Sequence, residues 1–131
     1  MASGFRAKSQ VLDYLAKGRN IHNLGKAMVR IDGHSVHVRY RSNPKSGMAV
    51  WSFNANPKTL TAEYELWICG STERYYLIPI AEIKEIYEDR AAYVDRHHPE
   101  IRVLEVDHAT HKCRYGSERS KDFSAYFRAR L

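Results

Sequence analysis

The sequence lacks the usual marks of a secreted or membrane-bound protein. Its 131 residues include only two cysteines, Cys69 and Cys113, which lie far apart, so we expect reduced thiols rather than a disulfide framework. No window approaches the roughly 18 apolar residues of a membrane-spanning helix, and no charged segment followed by an apolar run marks a signal peptide. We therefore expect a soluble, intracellular protein of the cytoplasm with no membrane partner.

Several catalytic signatures are missing as well. The chain has no glycine-rich phosphate loop, no G-x-S-x-G elbow and no H-E-x-x-H pair, so nucleotide hydrolysis, serine-hydrolase chemistry and metalloprotease chemistry have no support. It also has no internal repeat. The length predicts a single domain over residues 1–131, with a core at about 5–106 and a basic, aromatic C-terminal segment at 107–131.

The net charge of +6 is unevenly distributed along the chain. Residues 1–50 carry nine Lys and Arg against two acidic residues, residues 51–111 carry six against eleven, and residues 112–131 carry six against two. If the two basic ends meet in space, they form one positive surface that attracts polyanions. The alternative is that the acidic middle folds over the basic ends and neutralises them.

The segment from Lys26 to Arg41 predicts a β-hairpin with two chemically different faces. Asp32-Gly33 is a strong signal for a two-residue type I′ turn, because both central residues of that turn need a positive φ. The resulting register pairs Ile31 with His34, Val29 with Val36, Met28 with His37 and Lys26 with Arg39. Since side chains alternate along a strand, one face collects the apolar residues Ala27, Val29, Ile31, Val36, Val38 and Tyr40. The other face collects Lys26, Met28, Arg30, His37, Arg39 and Arg41.

The rest of the chain alternates between helical and strand patterns. Apolar spacing predicts a helix over Phe5–Lys17 that ends at Gly18, and strands at 49–53, 63–69, 74–80 and 101–106. An amphipathic helix is expected from Ile80 to Val94, and a strand at 112–115 followed by a short basic helix from Lys121. This order predicts an α+β (mixed α/β) domain with a central mixed sheet, a β-hairpin and flanking helices.

The segments KAMVRIDG, VRYRS, AEYELWICG and ERYYLIPIAEI, in this order, resemble the restriction-endonuclease-like, or PD-(D/E)XK, nucleases, particularly their small homing-endonuclease-like members. In that family a strand ending near an acidic residue leads into a strand with Glu/Gln-x-Lys, and a later YYVIP-like strand precedes a helix. The resemblance covers roughly residues 5–95 and implies a restriction-endonuclease-like core. Because many nuclease-fold proteins act as pairs, it also leaves a homodimer open.

The same alignment implies a degenerate metal site. Arg39 falls at the Glu/Gln position of the family, Arg41 at the lysine position and Lys26 at the metal-binding aspartate. A divalent cation needs anionic oxygen ligands, and three cations in those places would repel it. The resemblance therefore implies a nuclease fold without its metal cofactor.

These observations together predict a domain that binds nucleic acid, with duplex DNA as the expected partner, and does not cut it. Phosphate contacts are expected from Lys26, Arg30, His37, Arg39 and Arg41 on the hairpin, and from Lys112, Arg114, Arg119, Lys121, Arg128 and Arg130 near the C-terminus. Four aromatic residues interleave with the later cations and could stack on bases: Tyr115, Phe123, Tyr126 and Phe127. Aromatic residues at this spacing are more often core anchors.

Two other functions remain open. An active Mg²⁺-dependent DNA endonuclease would use Glu63 and Glu65 as metal ligands with Asp32 or Glu73, while Arg41 stabilises charge on the phosphate. Glutamates two positions apart on a strand are, however, more often a solvated face. A protein-interaction module would instead bind an acidic partner through the same basic face.

A zinc site is a further candidate in the segment from Asp107 to Cys113. His108, His111 and Cys113, together with Asp107, are suitable ligand types, but structural zinc sites usually take a second ligand pair from a distant segment. The alternative is a polar turn after a strand.

Overall fold

The computed structural model describes residues 4–45 and 49–131. The helices and strands of this part of the chain are, in order, α1 (Gly4–Ala16), β1 (Ile21–Gly25), β2 (Met28–Ile31), β3 (His34–Arg41), β4 (Val50–Ala55), β5 (Tyr64–Cys69), β6 (Tyr75–Pro79), α2 (Ile80–Glu88), β7 (Arg102–Asp107), β8 (Lys112–Gly116) and β9 (Arg119–Asp122). Short 3-10 helices lie at Pro57–Thr59 and Ser124–Tyr126. The α+β class predicted from the sequence is confirmed. Neither α1 nor α2 is long and apolar enough to cross a membrane.

The strands form two sheets. The first has the strand order β1-β2-β3-β5-β6 and is mixed, because β3 and β5 are parallel while its other neighbours are antiparallel. The second has the order β4-β7-β8-β9 and is antiparallel throughout. The central mixed sheet is therefore present as predicted, and the second sheet is an addition that the sequence pattern did not separate from it.

Helix α1 covers one face of the mixed sheet. Its buried residues Val11 and Leu15 contact a layer of strand residues that all point to that face: Val29, Ile31, Val36, Val38, Leu66, Ile68, Tyr75 and Leu77. Each fully buried aliphatic side chain of this kind stabilises the fold by about 1.5–3 kcal/mol. The apolar face predicted for the hairpin thus packs against α1, except for Ala27, which is exposed.

The opposite face of the mixed sheet packs on the second sheet. Trp67 of β5 stacks on Phe53 of β4 with ring centroids 4.6 Å apart and nearly parallel planes. Around this pair lie Tyr76, Ile78, Leu104, Val106 and Cys113, together with Ile83 and Ile86 of α2. Strands β1 and β2 lie at one edge of the mixed sheet. The β2–β3 hairpin therefore extends this face toward the edge of the two-sheet core.

The predicted hairpin is confirmed in its turn and register. Asp32 and Gly33 have φ values of 51° and 80°, as the type I′ turn requires. Strand β2 pairs with β3 as predicted, with Ile31 opposite His34 and Met28 opposite His37. A further hairpin precedes it, because Ile21–Gly25, for which the sequence pattern predicted no strand, forms β1 and pairs with β2.

Lys26 and Ala27 do not belong to the predicted strand. They form the turn between β1 and β2 with φ values of 53° and 61°, so Lys26 has no partner on β3. Its side chain lines a groove against α1, beside Phe5 and Lys8. The strand periodicity was broken here by two successive left-handed residues that the sequence does not mark with glycine or asparagine.

Two helical predictions also need correction. Helix α2 ends at Glu88 rather than near Val94, because Asp89 is extended and its carboxylate accepts the backbone N–H of Ala91 at 2.8 Å, a local bond that competes with helix continuation. The helix expected from Lys121 is instead β9, which pairs with β8. Asp122 then accepts the backbone N–H of Ser124 at 2.9 Å and turns the chain into a short 3-10 helix.

Candidate functional site

Three arginines lie along one face of the hairpin. Val36 and Val38 of β3 point to α1, so the alternating residues Arg39 and Arg41 point to the other face. Arg30 of β2 lies opposite Ser35 and shares that face. We call Arg30, Arg39 and Arg41 the cationic row. Ser35 and Arg41 are six positions apart, so the row extends over about 20 Å.

Within residues 4–45 and 49–131, the cationic row has no counter-ion at contact distance. Arg30 and Arg41 are exposed and Arg39 is half-buried. Among the described residues, the ion pairs within 4.0 Å leave out all three arginines. Other cations of the N-terminal part are neutralised, since Arg19 pairs with Asp32 and Lys45 with Glu105. The charge of the row is therefore available to an external anion.

Arg39 differs from its two neighbours because it is partly withdrawn from water. Burial lowers the pKa of its guanidinium, the negative charge of Glu65 opposes that effect, and the positive charge of Arg41 adds to it. An arginine held in this way, without a carboxylate in contact, carries a desolvation cost that a bound anion would relieve.

His37 lies on the same sheet face as Arg39 and Arg41, as predicted, but it is not exposed there. It is buried, with 3% of its surface exposed, and its Nδ1 lies 2.8 Å from Oε2 of Glu65, which is also 3% exposed. The second carboxylate oxygen of Glu65 accepts the indole N–H of Trp67 at 3.2 Å. Each oxygen of Glu65 thus accepts one hydrogen bond. Such bonds are needed because burying a carboxylate without them is costly.

The C-terminal cations do not join the cationic row. Lys112 and Arg114 lie on the outer face of the second sheet, opposite Asp107 and Glu105. They line a shallow cavity of about 600 Å³ that also includes Lys45, Arg119 and Glu118. Opposite charges on neighbouring strands neutralise one another, so this face has mixed charge.

The remaining C-terminal cations are engaged with other parts of the chain. Lys121 of β9 lies 3.0 Å from Glu85 and 3.5 Å from Glu82 of α2. Arg119 lies 4.0 Å from Asp89, and Arg130 stacks on the ring of Tyr14 at 5.1 Å. Arg128 is exposed, and its charge lowers the pKa of Tyr75 against the larger effect of burial, which raises it. At this end of the chain the acidic middle does neutralise part of the basic charge.

The C-terminal aromatic residues are anchors of the core. Tyr115 and Phe123 are buried in the core between the sheets, and Tyr126 and Phe127 pack against it. Phe127 also forms a bridge with Tyr76 at the edge of β6. None of these four rings is exposed, so they are not free to stack on bases.

The carboxylates proposed as metal ligands for an endonuclease do not form one cluster. Glu63 is exposed and lies 2.7 Å from Nδ1 of His34, whereas Glu65 is buried on His37 and Trp67. Asp32, at the tip of the hairpin, pairs with Arg19, and Glu73 is exposed in the turn between β5 and β6. A metal bound at Glu65 would have to displace its buried hydrogen-bond donors.

His108 and His111 meet at a residue that the sequence did not suggest. Their ring centroids are 5.5 Å apart, and their Nδ1 atoms lie 3.5 and 2.7 Å from the hydroxyl oxygen of Tyr76. Phe127 covers His111 at 4.5 Å. Cys113 is buried in the core, and burial raises the pKa of its thiol. Within residues 4–45 and 49–131, no group of three or more His, Cys, Asp or Glu side chains could hold a metal ion.

Sequence reasoning missed the partner of His37. Glu65 is 28 positions away and meets His37 only because β3 and β5 are parallel neighbours with these two residues in register. No local spacing indicates a parallel pairing.

Comparison with known proteins finds no relative: no family model, no curated protein and no solved structure matches this chain.

Proposed function

We propose that this protein binds the phosphate backbone of nucleic acid, with duplex DNA as the ligand, through the cationic row and without cutting it. The observation that carries the proposal is that Arg30, Arg39 and Arg41 share one sheet face and none of them has a carboxylate within 4.0 Å in the described part of the chain. Like charges on one sheet face repel. Phosphates would remove that repulsion, and arginine can bind each of them with two parallel N–H groups.

The shape of the row favours a duplex over a single strand. Single strands are usually bound by aromatic side chains on which bases stack. The exposed aromatic residues among those described are Phe5 and Tyr14, both on α1, which covers the opposite face of the mixed sheet. A row of arginines about 20 Å long without aromatic partners fits contacts to successive phosphates of a duplex.

The absence of cutting rests on the ligand chemistry of the row. If the chain has the restriction-endonuclease-like core that it resembles, Arg39 and Arg41 stand where that family has a metal ligand and its lysine. Glu65, the carboxylate nearest to Arg39 by register, already accepts two hydrogen bonds. The residues at the row therefore suit phosphate binding better than metal-assisted hydrolysis.

Salt-dependent binding tests the proposal. Fluorescence anisotropy of a labelled duplex is measured for the wild type and for the double variant Arg30→Glu, Arg41→Glu. The charge-matched control is Arg90→Glu, Arg96→Glu, which reverses two exposed arginines between α2 and β7. We expect wild-type affinity to fall with a slope of about 0.9 per phosphate contact in a log–log plot against salt. The row variant should lose binding and the control should retain most of it.

Equal losses in the two double variants would show that net charge, rather than the row, governs binding. The same samples are incubated with Mg²⁺ and run on a gel. Cut duplex would overturn the non-catalytic part of the proposal and would bring Glu63 and Glu65 back as metal ligands.

A further inference from the structure

We propose that Glu65 is the positioning residue for Arg39, holding its guanidinium over the sheet in the orientation that receives a phosphate. This inference rests on the proposed function, because it concerns how one member of the cationic row is presented to the ligand. It assigns a role in binding to a buried acidic residue, which simple charge attraction would count as unfavourable for a polyanion.

The strand register brings the two residues together. Glu65 of β5 lies opposite His37 of β3, and Arg39 lies opposite Trp67. Arg39 and Glu65 are therefore diagonal neighbours on the same face. A strand spacing of about 4.8 Å and a rise of about 3.3 Å per residue place their Cα atoms about 8 Å apart, within reach of a long side chain. Their charges interact, since Glu65 raises the pKa of Arg39 against the larger lowering by burial.

Glu65 attracts Arg39 without forming an ion pair with it, since no nitrogen of Arg39 lies within 4.0 Å of the carboxylate oxygens. His37 Nδ1 and Trp67 Nε1 occupy the two carboxylate oxygens at 2.8 and 3.2 Å. These bonds fix the position of the carboxylate, and because it does not contact Arg39, Glu65 acts on Arg39 mainly as a fixed negative charge. The N–H groups of Arg39 then remain available for an external oxygen acceptor.

Without the charge of Glu65, two effects on Arg39 would be unopposed. Burial and the positive charge of Arg41 both disfavour the guanidinium in its half-buried place. A long arginine side chain can respond by extending into water, and binding would then have to order it again at an entropic cost. Glu65 therefore prepares Arg39 for the ligand in advance.

The sign of one substitution separates this role from simple electrostatics. Glu65→Gln removes a negative charge and makes the protein more basic, so long-range attraction alone predicts tighter binding to DNA. Positioning predicts weaker binding, on the order of tenfold, with a salt slope smaller by about 0.9 as one phosphate contact is lost.

A double-mutant cycle provides the test. Duplex binding is measured for the wild type, Glu65→Gln, Arg39→Met and the combination of both. We expect each single variant to weaken binding, and Glu65→Gln to cause no further weakening once Arg39 is absent, because coupled residues are not additive. Unchanged or tighter binding by Glu65→Gln, or additive losses, would overturn the inference.

A second measurement covers the case in which Glu65→Gln does not fold. In the wild type, the side-chain Nε–H signals of arginine are followed by NMR as duplex is added. The Arg39 signal should shift on binding along with those of Arg30 and Arg41. If it stays unchanged while the other two shift, Arg39 does not receive the ligand and the inference fails alone. If the wild type does not bind duplex at all, the proposed function fails and this inference with it.

Discussion

His37 on β3 and Glu65 on β5 are 28 positions apart in sequence and form a buried pair, with Nδ1 and Oε2 2.8 Å apart. The pair joins the two parallel strands of the mixed sheet on the same face as the cationic row. Its burial removes both groups from water, so each depends on the other for its hydrogen bonds. The same contact therefore bears on the stability of the fold and on the arrangement of the neighbouring cationic row.

Loss of Glu65 should strongly destabilise the protein. Glu65→Ala leaves His37 and the indole N–H of Trp67 without their buried acceptor, and each unsatisfied buried donor costs about 1–3 kcal/mol. Urea denaturation followed by circular dichroism measures the loss. The matched control is Glu63→Ala, which removes the exposed contact with His34 and should cost no more than about 1 kcal/mol. Equal losses would contradict the assigned role of burial.

Acidic pH should weaken the attachment of the C-terminal segment. Burial, then His111, then Arg74 lower the pKa of His108, and Asp107 only partly opposes them. When folding lowers the pKa of a histidine, protons bind the unfolded state more tightly. The free energy of unfolding is therefore greatest above the unfolded pKa of about 6.5 and decreases as the pH falls toward the pKa of the folded state. Hydrogen exchange of the Arg128 amide, which donates to the carbonyl of Tyr75, should therefore speed up between pH 7.5 and 5.5, after correction for intrinsic rates.

His108→Gln provides the control for that pH dependence. It removes the titrating ring, so the corrected exchange of the Arg128 amide should change less with pH than in the wild type. An identical pH response in the variant would show that another group controls the attachment.

Both thiols should be unreactive in the folded protein. Burial raises the pKa of Cys69 to about 12 and raises that of Cys113 as well, so the nucleophilic thiolate is scarce at neutral pH. Iodoacetamide followed by mass spectrometry should leave both residues unlabelled under native conditions and label both in denaturant. Rapid native labelling of either cysteine would contradict its place in the core.

A charge on the α1 side of the hairpin should unfold the domain. Val38 is 3% exposed and packs in the core under α1, so Val38→Asp would bury an unpaired carboxylate at a cost of several kcal/mol. Circular dichroism should show a largely unfolded chain. The control Arg41→Asp places the same side chain on an exposed position of the same strand and should leave the spectrum unchanged.

The hairpin could be predicted because its signals are local. Asp32-Gly33 sets the turn, and the alternation of Val36 and Val38 with polar residues sets the faces. The buried place of His37 could not be predicted, since it depends on Glu65 in a strand that follows a long connection. The pairing of Lys121 with Glu82 and Glu85 could not be predicted either, since it depends on how β9 lies against α2.

The sequence alone could not predict which of the basic residues are neutralised by acidic neighbours. The charge distribution left two arrangements open, and each half of the chain follows a different one. The cationic row at the hairpin has no carboxylate within 4.0 Å among the described residues, whereas Lys112 and Arg114 face Asp107 and Glu105 across neighbouring strands. Only three-dimensional pairing decides which cations keep their charge available.

The most direct test of the proposed interface is to map where a duplex lies on the folded protein. ¹⁵N-labelled protein is titrated with a short DNA duplex, and the backbone amide shifts are followed by NMR. The account predicts that the largest changes fall on β2 and β3, around Arg30, Arg39 and Arg41, with little change at Lys112 and Arg114. Changes centred on the outer face of the second sheet would contradict it, and so would saturating duplex that leaves the spectrum unchanged.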